Sequence, residues 1–482
     1  MAVLTEVKPE RVFHFFEELC KIPHGTFDTK RISDYCVAFA KERGLEVEQD
    51  EANDVIIKKP GTPGYENSEP VILQGHMDMV CEKTPDSDHD FKTDGLDLYV
   101  EDGYVKARGT TLGGDDGIAI AMAMAILDSD DIPHPPIEAV FTVDEETGMG
   151  GAEAVDLSGL KGKKLLNIDS EEEGVLTSGC AGGIVFETLI PVAREEKEGT
   201  KVRIKVHGLL GGHSGNEIHR QRGNAHKMLG RLLYRIQKEA AFDLISINGG
   251  SKDNVIASES EAVLLAAEKD VDKILAMAEE MKEIWLGEFM GEEPTLDVTA
   301  AAEGAAKEAA LTKEAGERVI AYLMLCPNGL IEYSRKLKGL VETSLNLGIL
   351  KADEEVLRAE YSVRSSVESE KDNLIAKLSA LVELTGGDYV VTGDYPGWKY
   401  RVHSPLREKM VKLYAEMYGN EPRVEAIHAG LECGLLGSKI TDLDCVSMGP
   451  DMKDIHTTEE TLSISSTKRV WEYLVRVLET KD

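Results

Sequence analysis

Apolar residues recur with two different spacings along the first part of the chain. In residues 9–20 they fall three and four positions apart, and the same spacing returns in residues 32–40. This period predicts two amphipathic helices near the amino end. Shorter apolar runs at 71–73, 137–143 and 165–168 are rich in β-branched residues and predict buried strands. Residues 117–127 are apolar on nearly every side, which is typical of a helix packed on a sheet.

Strands that alternate with helices in this way predict an α/β fold class with a mainly parallel sheet. From about residue 190 the pattern changes. Helices are predicted at 224–241 and 269–289, strands at 201–206 and 357–363, and an Ala/Gly/Glu-rich patch occupies 299–310. After a turn at 395–398, an amphipathic helix at 404–418 and a short strand at 444–448 return to the first pattern. We therefore predict a discontinuous first domain, residues 1–189 and 399–482, with an α+β domain, residues 190–398, inserted into it.

Composition narrows the possible partners. The 482 residues include 54 Lys and Arg against 88 Asp and Glu, a formal net charge of −34. Such a charge repels phosphates and anionic lipid, so we expect neither a nucleic-acid nor a membrane partner. Residues 1–12 lack the apolar run of a signal peptide, and the seven cysteines are scattered without a CxxC pair. These features predict a cytoplasmic protein without a disulfide framework.

Histidines and carboxylates follow the predicted buried strands. The residues concerned are His76 and Asp78 after the first strand, Glu145 and Glu146 after the second, Asp169 after the third, and His456 after the last, while Asp115 and Asp116 precede the apolar helix. Because ligands of open α/β sheets bind outside the carboxyl ends of the strands, we expect one shared site. Taken singly, Asp115 and Asp169 would be helix caps and His76 a core histidine. Their joint occurrence favours a site instead.

Two histidines with several carboxylates suit divalent ions of the zinc or manganese type. The number of groups suits two ions that share a bridging carboxylate and leave a coordination position for water. Glu145 and Glu146 are neighbours at the end of a predicted strand, where successive side chains point to opposite faces. One of the two can therefore bind metal while the other acts as a general base.

Six motifs in order resemble the M20 family of metallopeptidases. They are HMDMV at 76–80, GGDDG at 113–117, DEETGMGG at 144–151, IDSEEEG at 168–174, GGHSG at 211–215 and the segment ending at His456. TLGGDDG, the 170–183 run and IHAGLECGL at 427–435 resemble its aminoacyl-histidine dipeptidase branch. The resemblance covers nearly the whole chain. It implies a zinc-peptidase catalytic domain with an inserted lid domain, and two divalent ions, Zn²⁺ first, with Co²⁺ or Mn²⁺ as alternatives.

The resemblance also implies roles for individual residues. His76 would bind one ion, Asp115 would bridge both, Glu146 and His456 would bind the first, and Asp169 would complete the second. Asp78 would orient the His76 imidazole. Glu145 would deprotonate the metal-bridging water and pass the proton to the leaving amine. The family often has a cis peptide here, so we expect one between Asp115 and Asp116.

The inserted domain would supply substrate-binding residues. By the resemblance, His213 stabilises the oxyanion, in some members across a dimer interface, and Asn254 and Arg364 hold the reacting carbonyl and the terminal carboxylate. We expect Glu432 to bind the substrate's free amino group. His219 and His428 are candidates for the wall of the site. The insertion could form a homodimer or cover its own site.

Three functions fit these features. The leading one is a dizinc dipeptidase for unblocked dipeptides, Xaa-His included. The second keeps the metal site but deacylates N-acyl amino acids, and it would replace an acid such as Glu432 with an apolar pocket. The third is a non-catalytic metal-binding scaffold, which the presence of Glu145 disfavours. A cysteine nucleophile is the least favoured mechanism, because no cysteine lies beside an evident base.

Overall fold

The computed structural model describes residues 3–481. Residues 1 and 482, at which the predicted first domain begins and ends, lie outside the described residues, as do the first two residues of segment 1–12. The α-helices are α1 (Glu10–Cys20), α2 (Lys30–Glu42), α3 (Gly114–Asp128), α4 (Gly150–Ala154), α5 (Ala225–Ile236), α6 (Glu268–Phe289), α7 (Lys313–Leu325), α8 (Glu368–Leu384), α9 (Pro405–Tyr418), α10 (Glu432–Lys439) and α11 (Ile464–Glu479). Short 3₁₀ helices span Glu145–Thr147 and Ile218–Arg220.

The strands in chain order are β1 (Glu46–Gln49), β2 (Val55–Lys59), β3 (Val71–His76), β4 (Leu98–Glu101), β5 (Tyr104–Ala107), β6 (Ile137–Thr142), β7 (Lys164–Asn167), β8 (Val175–Cys180), β9 (Gly182–Pro191), β10 (Arg194–His207), β11 (Phe242–Gly249), β12 (Ser260–Ala266), β13 (Asp297–Leu311), β14 (Gly329–Tyr333), β15 (Val341–Ala352), β16 (Val356–Ser365), β17 (Asp388–Tyr395), β18 (Arg423–Ile427), β19 (Asp444–Ser447), β20 (Met452–Lys453) and β21 (Thr461–Ser463). The predicted α/β class is confirmed. Among residues 3–481, no helix combines the length and apolar surface needed to cross a membrane.

Most predicted elements are present, with bounds within a few residues of those predicted, and two regions differ from the prediction. The helix predicted at 224–241 ends at Ile236, because the chain leaves it to form β11, which pairs with β12. The Ala/Gly/Glu-rich patch at 299–310 lies in β13, although alanine disfavours strands. Along its whole length β13 pairs antiparallel with β10, so tertiary pairing overrides local preference there.

The described chain divides into two compact units. The first comprises residues 3–180, 398–426 and 431–481, and the second comprises residues 181–397 and 427–430. That these units are the catalytic and lid domains of the sequence prediction stays a proposal.

The first unit contains a sheet with strand order β1-β2-β6-β3-β7-β19-β8-β18. Its centre is parallel: β3 lies between β6 and β7, and β19 pairs with β7. Helix α3 is buried along its length in the core of this unit. Gly75 of β3 allows a close approach, because a Cβ atom there would lie 2.5 Å from the Asp116 carboxylate and 2.6 Å from the Ala119 methyl group. A smaller sheet, β20-β21-β5-β4, completes the unit.

The second unit contains an antiparallel sheet with strand order β13-β10-β12-β11-β15-β16-β9-β17, and β14 pairs with β15. Helices α5, α6, α7 and α8 contribute buried apolar residues to its own core, in which Trp285, Tyr322 and Tyr361 are the largest side chains. It is an α+β arrangement.

Candidate metal centre

Parallel pairing in the first unit brings the polar ends of its strands to one edge of the sheet. His76 is the last residue of β3 and lies in register with Thr142, the last residue of β6. Asp169 follows β7 by two residues, and β7 pairs with β3 on its other side. The turn before α3 brings in Asp115. Residues far apart in the chain therefore meet at the carboxyl ends of three strands, as the strand pattern predicts.

The Asp115 carboxylate lies between two histidines. Its Oδ1 atom is 3.3 Å from His76 Nε2, and its Oδ2 atom is 3.1 Å from His456 Nε2. His456 Nε2 also lies 3.0 Å from Glu146 Oε2, and His76 Nε2 lies 3.6 Å from Asp169 Oδ1. The five predicted metal ligands thus form one chain of neighbours with Asp115 at its centre.

Two groups of side chains place their donor atoms within 4.8 Å of one another: His76 with Asp115 and Glu146, and His76 with Asp116 and Asp169. Asp116 was not among the predicted ligands. It is fully buried, and its Oδ2 atom accepts a hydrogen bond from the His76 backbone N–H at 3.3 Å. The peptide between Asp115 and Asp116 is cis, as the resemblance implied.

The cluster holds more carboxylates than imidazoles, and this excess shifts the pKa values of its members. Burial alone would lower the pKa of His76, but hydrogen bonds to carboxylates, Asp115 and Asp169 among them, raise it well above the usual value. Hydrogen bonds to Asp115 and Glu146 raise the pKa of His456 to about 10. Burial raises the pKa of Asp169 to about 6. Each of these shifts arises because negative charges crowd a site with little water.

The donor set fits divalent cations. Imidazole nitrogen and carboxylate oxygen are the usual ligands of zinc and similar ions. Glu146 Oε1 and Asp116 Oδ1 are buried and have no hydrogen-bond partner among the described residues, although a buried polar atom usually has one. Cations in this cluster would satisfy such oxygens and offset the excess negative charge.

Asp78 supports the site in a way that differs partly from the prediction. His76 Nδ1 lies 3.0 Å from the backbone carbonyl oxygen of Asp78 and 3.5 Å from the Asp78 carboxylate. These contacts turn Nε2 of the imidazole toward the cluster. The Asp78 carboxylate accepts hydrogen bonds from the Thr26 hydroxyl at 2.9 Å and from the backbone N–H groups of Glu145 and Glu146 at 3.1 and 3.4 Å. Asp78 therefore links the His76 imidazole to the loop that carries both glutamates.

Glu145 and Glu146 do not owe their positions to strand alternation, and that expectation was wrong. Strand β6 ends at Thr142, and the chain turns through Asp144 (φ 56°) into the 3₁₀ helix Glu145–Thr147. Glu146 faces His456, whereas Glu145 Oε2 lies 4.0 Å from His76 Nε2 and belongs to neither group of donor atoms. Burial raises the pKa of Glu145 well above its usual value. The turn, rather than the strand, separates the two side chains.

Glu432 is fully buried at the start of α10. Its Oε2 atom accepts hydrogen bonds from Gln74 Nε2 at 2.6 Å and from the Thr142 hydroxyl at 2.8 Å. Its Oε1 atom is buried without a partner among the described residues, and burial raises the pKa of the carboxyl group to about 7. The predicted contact with a substrate amine would therefore have to be made through Oε1.

Three predicted substrate-binding residues belong to the second unit. Arg364 lies on β16, is 9% exposed, and donates a hydrogen bond to the Tyr395 hydroxyl at 3.1 Å. Asn254 lies in the loop after β11, where its backbone carbonyl accepts a hydrogen bond from the Ser214 backbone N–H at 2.8 Å. His213 Nδ1 accepts N–H groups of residues 215 and 216 at 3.3 and 3.1 Å, which leaves the proton of the neutral imidazole on Nε2.

The two histidines that the sequence offers for the wall of the site lie in the second unit. His428 is buried with Nε2 2.7 Å from the Ser344 hydroxyl, and burial lowers its pKa to about 3. His219 is exposed in the short 3₁₀ helix of that unit. Among the cysteines, burial raises the pKa of Cys36 and Cys180 to about 12 and that of Cys81 to about 11, which disfavours the reactive thiolate.

Several supporting residues were missed from the sequence. Gln74 lies two positions before His76 on β3 and so shares its face, a signal that period-two reasoning could have used. Thr142 pairs with His76 only through the register of β3 and β6. Thr26 lies 52 residues before Asp78, and Glu460 lies four residues after His456. No local pattern marks either of them as a supporting residue.

Comparisons with known proteins bear on this site. Residues 72–480 match the profile of peptidase family M20/M25/M40. The chain is 37% identical over 480 residues to the cytosol non-specific dipeptidase of Escherichia coli (strain K12), covering 99% of each. The crystal structure of aminoacylhistidine dipeptidase from Vibrio alginolyticus superposes with a TM-score of 0.92 at 36% identity, covering 99% of this chain and 97% of that one. An aminopeptidase from Bacillus cereus shares the fold, with a TM-score of 0.57, 18% identity and 98% coverage of both chains.

Proposed function

The chain belongs to peptidase family M20/M25/M40 and hydrolyses peptide bonds, and from this premise we propose that it is a dizinc dipeptidase for unblocked dipeptides, Xaa-His included. The substrate class follows the names of its two full-length relatives, a non-specific dipeptidase and an aminoacylhistidine dipeptidase. By the same analogy we expect a cytoplasmic location.

One observation supports the dinuclear centre above all others: the two oxygens of Asp115 face two different histidines, at 3.3 and 3.1 Å. His76 and Asp169 would hold one ion and His456 and Glu146 the other, with Asp115 between them. Two divalent ions would supply Lewis acidity, which polarises the peptide carbonyl and acidifies water.

Glu145 is the proposed general base. Its carboxylate borders the cluster without belonging to either group of donor atoms, so it is free to take the proton of the attacking water. Burial raises the pKa of Glu145 and so makes its carboxylate a stronger base than an exposed glutamate. The same carboxyl group then delivers the proton to the leaving amine nitrogen.

Residues of the second unit would bind the rest of the substrate. His213 has its proton on Nε2 and can donate a hydrogen bond to the developing oxyanion, and Arg364 can hold the terminal carboxylate with its guanidinium fork. Asn254 would contact the reacting carbonyl group.

Whether His213 acts in its own site or in that of a second copy can be tested by complementation. Mixing inactive Glu145→Gln protein with inactive His213→Ala protein should restore activity only in a homodimer that shares residues. Persistent inactivity of the mixture, with both proteins folded, would assign His213 to its own chain.

The proposal is tested with metal-free protein and a small substrate panel: Ala-His, Gly-Gly, Leu-Leu, N-acetyl-Met and a tripeptide. Reloading with Zn²⁺ should restore hydrolysis of the free dipeptides and leave the blocked and longer substrates intact. Activity confined to N-acetyl-Met would identify a deacylase instead. Full turnover in the presence of a strong chelator would contradict the metal mechanism altogether.

A further inference from the structure

A buried carboxylate outside the proposed ligand set binds the backbone of the turn that carries Asp115. Glu460 is 4% exposed, and its side chain accepts four consecutive backbone N–H groups. Oε2 accepts those of Leu112 and Gly113 at 2.7 and 3.1 Å, and Oε1 accepts those of Gly114 and Asp115 at 2.8 and 3.4 Å. These residues lie 345 to 348 positions earlier in the chain.

The backbone of this turn is irregular. Gly113 is left-handed (φ 66°), and Asp115 and Asp116 have non-helical dihedral angles although they lie at the start of α3. The first N–H groups of a helix have no partner within the helix, and here the glutamate supplies one from outside. A negative charge at this end also interacts favourably with the helix dipole. Glu460 therefore holds the backbone that carries Asp115 through four hydrogen bonds.

The same glutamate is tied to the other side of the metal site. It follows His456 by four residues, and its own N–H donates to the Thr457 carbonyl at 3.2 Å. Immediately after it, β21 pairs with β5, with Leu462 in register with Val105. One end of Glu460 is thus anchored in the segment of His456, and the other end holds the turn of Asp115.

We propose that Glu460 is a positioning residue that sets the separation of Asp115 and His456 and thereby the metal affinity of the site. The inference rests on the proposed metal centre, but it does not depend on which peptides are cleaved. Glu460 need not touch metal or substrate, because it acts through the backbone of one ligand and the chain segment of the other.

Glu138 provides a matched control in the same unit. This glutamate of β6 is 5% exposed and also accepts backbone N–H groups: that of Lys161 at 3.0 and 3.1 Å and that of Gly162 at 2.9 Å. Its partners are not proposed metal ligands. Glu138→Gln should therefore reproduce the structural cost of losing a buried carboxylate without disturbing Asp115.

The experiment measures Zn²⁺ affinity of metal-free wild-type, Glu460→Gln and Glu138→Gln proteins by competition with a chromophoric chelator. Glu460→Gln should weaken binding by about 10- to 100-fold, the usual cost of removing a group that orients a metal ligand. Glu138→Gln should bind Zn²⁺ as the wild type does, even if its melting temperature falls. Glu460→Asp should be intermediate, because it keeps the charge on a shorter side chain.

A second measurement does not require the variant to fold. In metal-free wild-type protein, the amide hydrogens of residues 112–114 should exchange slowly, as amides of strands do, because a buried acceptor holds them. Exchange at the rate of an unprotected loop, or equal Zn²⁺ affinity of wild-type and Glu460→Gln proteins, would overturn the role of Glu460. If the wild type binds Zn²⁺ tightly but cleaves no dipeptide, the proposed substrate fails while the role of Glu460 stands.

Discussion

Replacing Glu145 with glutamine should abolish hydrolysis and leave the metal in place, whereas the same change at Glu146 should release metal. The two residues are adjacent in one 3₁₀ turn, and both substitutions keep the shape of the side chain while removing its charge. Only Glu146 Oε2 lies against a proposed ligand of the same ion, 3.0 Å from His456 Nε2. Glu145 Oε2 comes no nearer to His76 Nε2 than 4.0 Å.

The expected magnitudes follow from these positions. A positioned general base contributes about 10²- to 10⁴-fold to the rate, which corresponds to about 3 to 5 kcal/mol of transition-state stabilisation lost in Glu145→Gln. Loss of a group that only orients a ligand weakens metal binding about 10- to 100-fold, so loss of the ligand Glu146 should exceed that range. Both variants should thus be inactive, for different reasons.

The assay measures kcat and KM on Ala-His before and after addition of excess Zn²⁺, together with the number of Zn²⁺ ions retained after gel filtration. Glu145→Gln should retain the wild-type metal content with a lower kcat, and Glu146→Gln should lose metal and recover some activity when excess Zn²⁺ is added. The reasoning would be refuted if Glu145→Gln kept its rate within about tenfold of wild type, or if both variants lost metal equally.

Three further predictions concern stability. Burial lowers the pKa of His226 to about 4, below its unfolded value of 6.5, so the free energy of unfolding should be unaffected by the titration of this residue above pH 6.5 and should fall by about 3 kcal/mol toward pH 4. In urea unfolding, His226→Gln should show a shallower pH dependence. Ser404 accepts an N–H at the start of α9, and Ser404→Ala should cost about 1 to 2 kcal/mol in the same assay. A Cβ atom at Gly449 would lie 1.6 Å from the Ser170 carbonyl oxygen, so Gly449→Ala should lower the free energy of unfolding by about 3 kcal/mol. Gly437 on α10 has open space around it, so Gly437→Ala should cost nothing. Equal melting temperatures for the two variants would contradict the packing argument.

Much of this protein is visible in local sequence patterns. The helical period at residues 9–20 and 32–40 and the apolar runs before His76 and Asp169 predict elements that the structure contains, because burial of one face imposes a period on the chain. The family resemblance, carried by six motifs, is confirmed by the match over residues 72–480. The roles of the individual site residues stay predictions.

The tertiary structure decided how the site is assembled. The 3₁₀ turn, and not the strand period, separates Glu145 from Glu146, and the partners of Asp78 and Glu432 come from other segments of the chain. Glu460 lies more than 340 residues from the turn it holds. A buried carboxylate that accepts distant backbone N–H groups imposes no period on its own segment, since any backbone can donate. Sequence alone therefore determined the elements and the family, and only three-dimensional packing decided which acid supports which ligand.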